Sequence, residues 1–390
     1  MCRVICNKSH IVFLQPFGIG SNGGGARILR AMLQNAPMGW TSITSSLDVP
    51  LNSHFGREIH LPYRPGFGRL ETTRLNPLFL RLDVFFQSLF SKRLKKLCIE
   101  FGATAIHSIP HGLDFIAGWH VSKQLGCEFF LSIHDDLAFC LKNHPLRQKA
   151  LDMLPEIWRG AAARFVISDK LGAEYCKRYG NQKYEIITDG LEKISSPRPR
   201  NAKRLNIYFM GLFHISYERN LLFLLDALKL LSAYYPDMEW TITMRGVKFR
   251  RGFPVAAGIR LLPFGSEADV ESDMKEADML YLPLPFEVTA KDFIRFSLST
   301  KMVTYLGSGL PIFYHGPGES ATSKLLAEDR AAIQCHSLNP WHIALTLREF
   351  IDFPDRAGEM VENAAVLANR MFLLKDLRDR FWGAIGSWAA

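Results

Sequence analysis

Along its whole length the chain alternates short runs of apolar and β-branched residues with stretches of helical period, and few folds are open to a sequence written this way. Parallel strands covered on both faces by helices satisfy it. In the first half, strand-type runs fall near residues 10–15, 40–45, 58–61, 103–107, 128–133, 164–167 and 184–187. A polar, proline-rich stretch then interrupts the pattern, Ser195-Ser196-Pro197-Arg198-Pro199-Arg200-Asn201, and reads as a linker. The alternation restarts at once, with strand-type runs near 205–210, 240–244, 259–262, 279–282, 311–314 and 331–334. The expected fold class is α/β, two tandem doubly wound Rossmann-like domains with an interdomain cleft. Expected bounds are 1–194 for the first domain, 195–204 for the linker and 205–370 for the second. A C-terminal helix over 371–390, anchored by Trp382 and Trp388, has no strand to follow and is expected to pack back on the first domain.

Bulk composition agrees with two cores: 390 residues, 48% of them hydrophobic, exceed what one core usually supports. The apolar runs, such as Ile11 to Leu14, fall far short of the roughly 20 residues that cross a bilayer. Polar Asn7, Ser9 and His10 break any leader-like stretch, so the expected location is cytoplasmic. Seven cysteines are scattered without the short paired spacing of zinc or redox motifs, and only Cys2 and Cys6 lie close together. No metal is expected. The net charge of +9 favours an anionic partner: nucleotide phosphate, anionic lipid or nucleic acid. Nucleic acid fits poorly, because the basic residues do not interleave with aromatics on a recognisable module.

Several strand ends carry chemistry, and in doubly wound sheets those ends face the ligand crevice. The first strand leads through a loop to Gly23, Gly24 and Gly25 and then to a helix, a place where backbone N–H groups approach an oxygen-rich ligand closely. A merely mobile loop would look the same, and the spacing is not the dinucleotide fingerprint. His134, Asp135 and Asp136 end another strand; His134 suits a sugar hydroxyl, and either aspartate could orient it or cap the next helix. Asp189-Gly190 reads as a turn supplying positive backbone torsion.

In the second half, Gly211 ends a strand and Arg219 opens a helix, where a cation could clamp a diphosphate or simply be solvated. Arg245-Gly246 and Pro263-Phe264-Gly265 end the next two strands, with Phe264 available to pack on a flat base. Most informative is the run from Phe296 to Phe313: Ser299 or Thr300 caps a short helix, Lys301 adds charge, Gly309 ends the helix and Pro311 opens the next strand.

These ordered landmarks, spread over nearly the whole chain, resemble the retaining GT-B glycosyltransferases of family 4. Gly23-Gly24-Gly25-Ala26 resembles that family's glycine loop, Ile133-His134-Asp135 its strand-end histidine, and Lys301 to Pro311 its donor-site helix and strand entry. Ile187-Thr188-Asp189-Gly190-Leu191 stands where such enzymes carry an Asn-Gly turn, and Arg219 where many carry a basic residue facing the donor phosphates. The paired glutamates of most members are replaced by Phe296 and Thr304, while Glu287 resembles the first of them by its distance from the preceding proline.

The resemblance implies a nucleoside-diphosphate sugar held by the second domain and an acceptor presented by the first, with retention, in cell-surface polysaccharide or glycoconjugate synthesis. Arg219 and Lys301 would stabilise the departing diphosphate, His134 with Asp135 would position the sugar, and no cofactor or metal is implied. Gly23, Gly24, Gly25, Gly211, Arg245, Phe264, Glu287, Ser299, Thr300 and Thr304 complete the expected donor site. For a glycan or lipid-linked acceptor, Lys92, Arg93, Lys95 and Lys96 beside Phe85, Phe86, Leu89 and Phe90 offer a contact for an anionic membrane surface, or else an ordinary solvated helix face. A sugar-nucleotide epimerase of the same architecture and a non-catalytic nucleotide-sugar-binding protein remain as alternatives. Only a transferase would depend on an acceptor.

Overall fold

The computed structural model describes residues 9–47, 58–198, 203–213, 215–250, 252–254, 258–287 and 291–387. Cys2, Cys6, Pro199, Arg200, Asn201 and Trp388 lie outside them. The chain divides into two compact units, residues 1–189 with Leu374–Ala390, and Gly190–Leu373.

The first unit is built on strands β1 (His10–Gln15), β2 (Gly39–Thr44), β3 (Glu58–His60), β4 (Ala105–Ser108), β5 (Glu128–Ile133), β6 (Ala163–Val166) and β7 (Glu185–Ile186). They form one parallel sheet in the order β3-β2-β1-β4-β5-β6-β7. Its helices are α1 (Gly24–Leu33), α2 (Asn76–Arg81), α3 (Asp83–Glu100), α4 (Asp114–Leu125), α5 (Leu137–Cys140), α6 (Arg147–Gly160) and α7 (Asp169–Tyr179). Both faces of such a sheet are covered, which is why β1 reads as a continuous apolar run with Ile11 to Leu14 at most 1% exposed. The chain begins β4 at Ala105, two residues later than its apolar pattern suggests, because Gly102 in the left-handed region (φ +60°) turns the end of α3 and Ala103 N–H donates to Cys98 O at 2.8 Å.

The second unit repeats the plan with β8 (Arg204–Met210), β9 (Glu239–Arg245), β10 (Ile259–Leu262), β11 (Met279–Pro283), β12 (Ile312–His315) and β13 (Ile333–Cys335), all parallel in the order β10-β9-β8-β11-β12-β13. Helices α8 (Glu218–Tyr234), α9 (Glu267–Glu276), α10 (Lys291–Phe296), α11 (Thr300–Leu306), α12 (Ala321–Glu328), α13 (Pro340–Asp352) and α14 (Pro354–Met371) surround it. Leu221, Leu224, Leu228 and Leu231 recur at helical spacing on α8 and bury one face in the core with Ile207, Phe209, Ile343 and Leu347. Residues 195–198 run along this unit: Ser195 N–H donates to Gly307 O at 2.9 Å, and a Cβ on Gly309 would stand 2.2 Å from Ser196 O.

The last helix, α15 (Leu374–Gly386), belongs to the first unit. Trp382 Nε1–H donates to Met32 O at 2.9 Å, Arg378 donates to Ala31 O at 2.7 Å, and the Phe381 ring packs on Phe165 with centroids 4.7 Å apart.

Candidate functional site

In each sheet the strand order reverses at a central strand, so the crevice lies beyond the C-terminal ends of β1 and β4 in the first unit and of β8 and β11 in the second. Of the residues singled out from sequence, Gly23 to Gly25 come after β1 and Gly211 follows β8, while His134 and Asp135 follow β5, Arg245 ends β9 and Phe264 follows β10.

In the first unit, Gly23 is the N-cap of α1 and no side chain caps the helix start, which leaves first-turn amides for a ligand or water. Gly25 is tightly packed: a Cβ there would meet Phe17 at 3.1 Å and His134 Nδ1 at 3.2 Å. His134 ends β5, is 6% exposed, and its buried Nδ1 has no hydrogen-bond partner. Burial, with His111 and His107 beside it, holds its pKa well below the ordinary histidine value, so the ring is neutral at pH 7. His111, after β4, faces it with ring centroids 5.8 Å apart, and His111 Nε2 lies 3.5 Å from Asp135 Oδ2. His111, Asp135 and Cys140 each bring one donor atom within 4.8 Å of the others, the group among the described residues best placed to hold a metal ion.

Three further polar residues of this unit are occupied structurally. His107, its pKa lowered by burial to about 3, sits in the core against Ser132 Oγ at 2.7 Å. Asp136 stands at the N-cap of α5 without a capping bond, because its carboxylate pairs with Arg178 at 3.0 Å. Asp189 pairs with Arg27 at 3.0 Å. The expectation of positive torsion at Asp189-Gly190 fails: neither residue is among those with φ above zero.

In the second unit, Gly211 follows β8 with φ +83°, a conformation that disfavours any side chain. Lys301, one residue into α11, lies against it: a Cβ on Gly211 would stand 3.5 Å from Lys301 Cε. Its ammonium is 5.3 Å from the centre of the Phe209 ring. No acid pairs with Lys301 among the described residues, and burial lowers its pKa to about 8. A half-buried cation without an acidic partner, beside a strand end, is costly unless an anion arrives. Gly211→Ala is expected to cost roughly 1–2 kcal/mol from the left-handed torsion alone, measurable by denaturant unfolding.

Phe264 is 59% exposed and its ring edge lies 3.1 Å from where a Cβ on Gly246 (φ +74°) would be, so a flat apolar face stands open beside the ends of β9 and β10. Arg245 is held rather than free: its guanidinium grips Asp273 through Nε and Nη2, Tyr208 O–H donates to Asp273 at 2.9 Å, and Nη1 donates to Pro263 O. Arg219 is exposed near the start of α8. Glu287 follows β11 with one carboxylate oxygen buried and without a hydrogen bond.

Ser299 occupies the N-cap of α11 but its side chain makes no capping bond, and Thr300 begins the helix. Thr304 Oγ1 lies 3.5 Å from Thr300 O. The expected helix end at Gly309 is corrected: α11 stops at Leu306 with Gly307 as C-cap, and Gly309 (φ +72°) serves the turn into β12. Phe296 is 3% exposed, a core residue.

No protein-family model matches the chain, and no curated protein matches it in sequence. Solved structures match it over nearly its whole length. The sucrose-phosphate synthase of Thermosynechococcus elongatus superposes with a TM-score of 0.70 at 12% identity, covering 98% of this chain and 99% of that one. Anabaena HepE in complex with UDP gives 0.67 at 14% identity, covering 97% and 100%. Trehalose-6-phosphate from E. coli bound with UDP-2-fluoro glucose gives 0.63 at 11% identity, covering 96% and 98%. The fold is therefore GT-B, with two parallel α/β sheets of seven and six strands.

Proposed function

We propose that this chain is a glycosyltransferase that moves a sugar, with retention, from a nucleoside-diphosphate sugar to a glycan or lipid-linked acceptor in polysaccharide or glycoconjugate synthesis. The observation that carries the reading is Lys301, a cation without an acidic partner packed against Gly211 beyond the end of β8. Two of the structural neighbours carry UDP or a UDP-sugar, which supports a uridine diphosphate donor as the first to try.

The chemistry asks for charge stabilisation in two places. As the glycosidic bond to the diphosphate breaks, negative charge grows on the leaving oxygen and positive character on the anomeric carbon. Lys301 meets the diphosphate, Gly211 lets the backbone come close to it, and exposed Arg219 adds long-range positive potential. Phe264 offers its open face to the base. In the first unit, neutral His134 accepts or donates one hydrogen bond to a sugar hydroxyl without adding charge, while the Gly23 to Gly25 turn admits oxygen atoms to the start of α1. Nucleotide release from UDP-glucose and related donors is expected to rise at least tenfold on adding acceptor. Full turnover without acceptor would instead favour an epimerase, and binding without turnover a nucleotide-sugar-binding protein.

The acceptor side of the reading includes a membrane. No helix among the described residues is long and apolar enough to cross a bilayer. On α3, however, Phe85, Leu89, Lys92, Lys96 and Ile99 fall on one stripe, with Phe85 77% and Ile99 61% exposed, while Phe90, Leu94 and Cys98 face the core. Exposed apolar rings among cations suit the interface of an anionic bilayer, and each cation near such a surface contributes about 1 kcal/mol. Flotation with vesicles containing anionic lipid is expected to carry the protein, and Lys92→Glu with Lys96→Glu to abolish it. Equal flotation on neutral vesicles would remove this contact.

A further inference from the structure

The sequence carries no zinc-type spacing, yet the fold of the first unit brings three metal-binding side chains together from separate turns. His111 follows β4, Asp135 follows β5 and Cys140 ends α5. β4 and β5 are parallel neighbours, with Ser108 opposite Leu131, so the turns that leave them emerge side by side. One donor atom of each of the three residues lies within 4.8 Å of those of the other two, and His111 Nε2 stands 3.5 Å from Asp135 Oδ2. His111 Nε2 is buried and makes no hydrogen bond. All three residues are half-buried, and His111 and Cys140 help to line a cavity of about 570 Å³.

The local structure holds this arrangement in place. His111 N–H donates to Ile109 O at 2.9 Å and closes a tight turn just after β4. Beyond β5, Cys140 N–H donates to Asp136 O at 3.0 Å and Leu137 N–H donates to Tyr175 Oη at 3.1 Å, which fixes the segment carrying Asp135 and Cys140 to α7. Asp136 is engaged elsewhere, its carboxylate held by Arg178 at 3.0 Å. A second histidine–carboxylate pair lines the same cavity, His144 with Asp83 at 3.0 Å, but it already has its cation, because Arg64 Nε donates to Asp83 at 2.7 Å. The set at His111 is thus the place in this wall where a metal ion fits.

The donor types select among metals. Imidazole nitrogen, carboxylate oxygen and thiolate sulfur together suit zinc, whereas magnesium and calcium take oxygen ligands. Bond lengths of about 2.0–2.3 Å put the ligand atoms of a tetrahedral site roughly 3.3–3.8 Å apart. His111 and Asp135 already stand at that spacing, and the third donor has about 1 Å at most to draw in. One thiolate and one carboxylate carry the two negative charges that a divalent ion neutralises, with the imidazole neutral. Three protein ligands leave a fourth position, which the cavity opens to water. Cys140 as a nucleophile fits less well: burial, with Asp135 and Asp136 beside it, pushes its thiol far above the ordinary cysteine value, and only a cation at hand makes it a thiolate.

We propose that His111, Asp135 and Cys140 form a three-ligand zinc site whose fourth position opens onto the cavity. The site stands apart from the transferase reading and needs no nucleotide. The test uses the full chain without a purification tag, stripped with a chelator, titrated with zinc and dialysed, with the retained metal counted by mass spectrometry. About one zinc per chain is expected, bound with micromolar affinity or tighter, and cobalt in its place is expected to show the near-ultraviolet charge-transfer band of a cobalt–thiolate bond. Cys140→Ser is expected to remove that band, to weaken zinc binding at least tenfold and to abolish the rise in melting temperature that zinc gives the wild type. His111→Gln is expected to weaken zinc binding to a similar degree and keeps the test decisive if Cys140→Ser fails to fold. Cys2→Ser with Cys6→Ser, the close pair near the N-terminus, is expected to leave zinc and the cobalt band unchanged. Retention of well under one zinc per chain, cobalt bound without the thiolate band, or zinc binding that is lost with Cys2 and Cys6 but kept in Cys140→Ser and His111→Gln would each overturn the proposal.

Discussion

Replacing Lys301 with alanine is expected to lower turnover of a nucleotide-sugar donor by about 10²- to 10³-fold, the usual cost of losing one preorganised charge that meets a developing oxyanion. Folding stability is expected to hold or improve, because the substitution removes a half-buried cation that pairs with no acid. An ordinary surface lysine would change neither quantity appreciably, and a purely structural one would lower melting temperature and activity together. Equal losses of both would remove Lys301 from the site.

The same residue predicts a pH dependence. With its pKa lowered to about 8 by burial, Lys301 is mostly charged at pH 7 and mostly neutral at pH 9 in the free protein. Affinity for a nucleoside diphosphate is therefore expected to fall about tenfold between those values, and the fall to vanish in Lys301→Ala. The stability linkage runs the other way. A lysine whose folded pKa is depressed binds fewer protons folded than unfolded between about pH 8 and its ordinary value, so unliganded stability rises with pH across that window. Affinity measured by calorimetry and stability measured by denaturant should thus move in opposite directions.

The second large effect lies in the first unit. Phe381 is 1% exposed, with its ring 4.7 Å from Phe165, 5.8 Å from His107 and 5.2 Å from Trp382 between centroids. Phe381→Ala is expected to cost about 3–5 kcal/mol, the range for emptying a phenylalanine site in a packed core. Denaturant unfolding followed by near-ultraviolet circular dichroism measures it. Below the transition, nucleotide binding should persist, since it rests on residues of the other unit. A loss under about 1 kcal/mol would mean that α15 is peripheral to the core rather than part of it.

The central strands were legible because parallel sheets buried on both faces write themselves as apolar runs, as at Ile11 to Leu14 of β1 and Met279 to Leu282 of β11, whereas β3, β7 and β10 contain no buried residue and were legible only by their place in the alternation. Turns were legible at Gly211 and Gly246, where a glycine follows the strand end with positive torsion; Gly309 was misread as the helix end, which falls at Gly307, and Gly190 as a turn of positive torsion, where Asp189 instead closes an ion pair with Arg27. Partners distant in sequence were invisible. Nothing near Arg245 announces Asp273, which occupies its guanidinium, so a cation counted for the donor turns out to be largely spent inside the unit. Asp114, Tyr63 and the Arg64–Asp83–His144 set were missed for the same reason: each is an ordinary polar residue until the segments after β3 and α5 and the starts of α3 and α4 bring them to one cavity of the first unit. The visible signal was only that Asp114 sits where α4 begins, and helix starts commonly carry aspartate.

The most direct test of the central claim is a calorimetric titration of the purified chain with UDP, GDP, ADP and CMP, repeated on Lys301→Ala. The account predicts that one nucleoside diphosphate binds and that the variant loses at least tenfold in affinity for it while remaining folded. No heat from any nucleotide, or binding that Lys301→Ala leaves untouched, would contradict it.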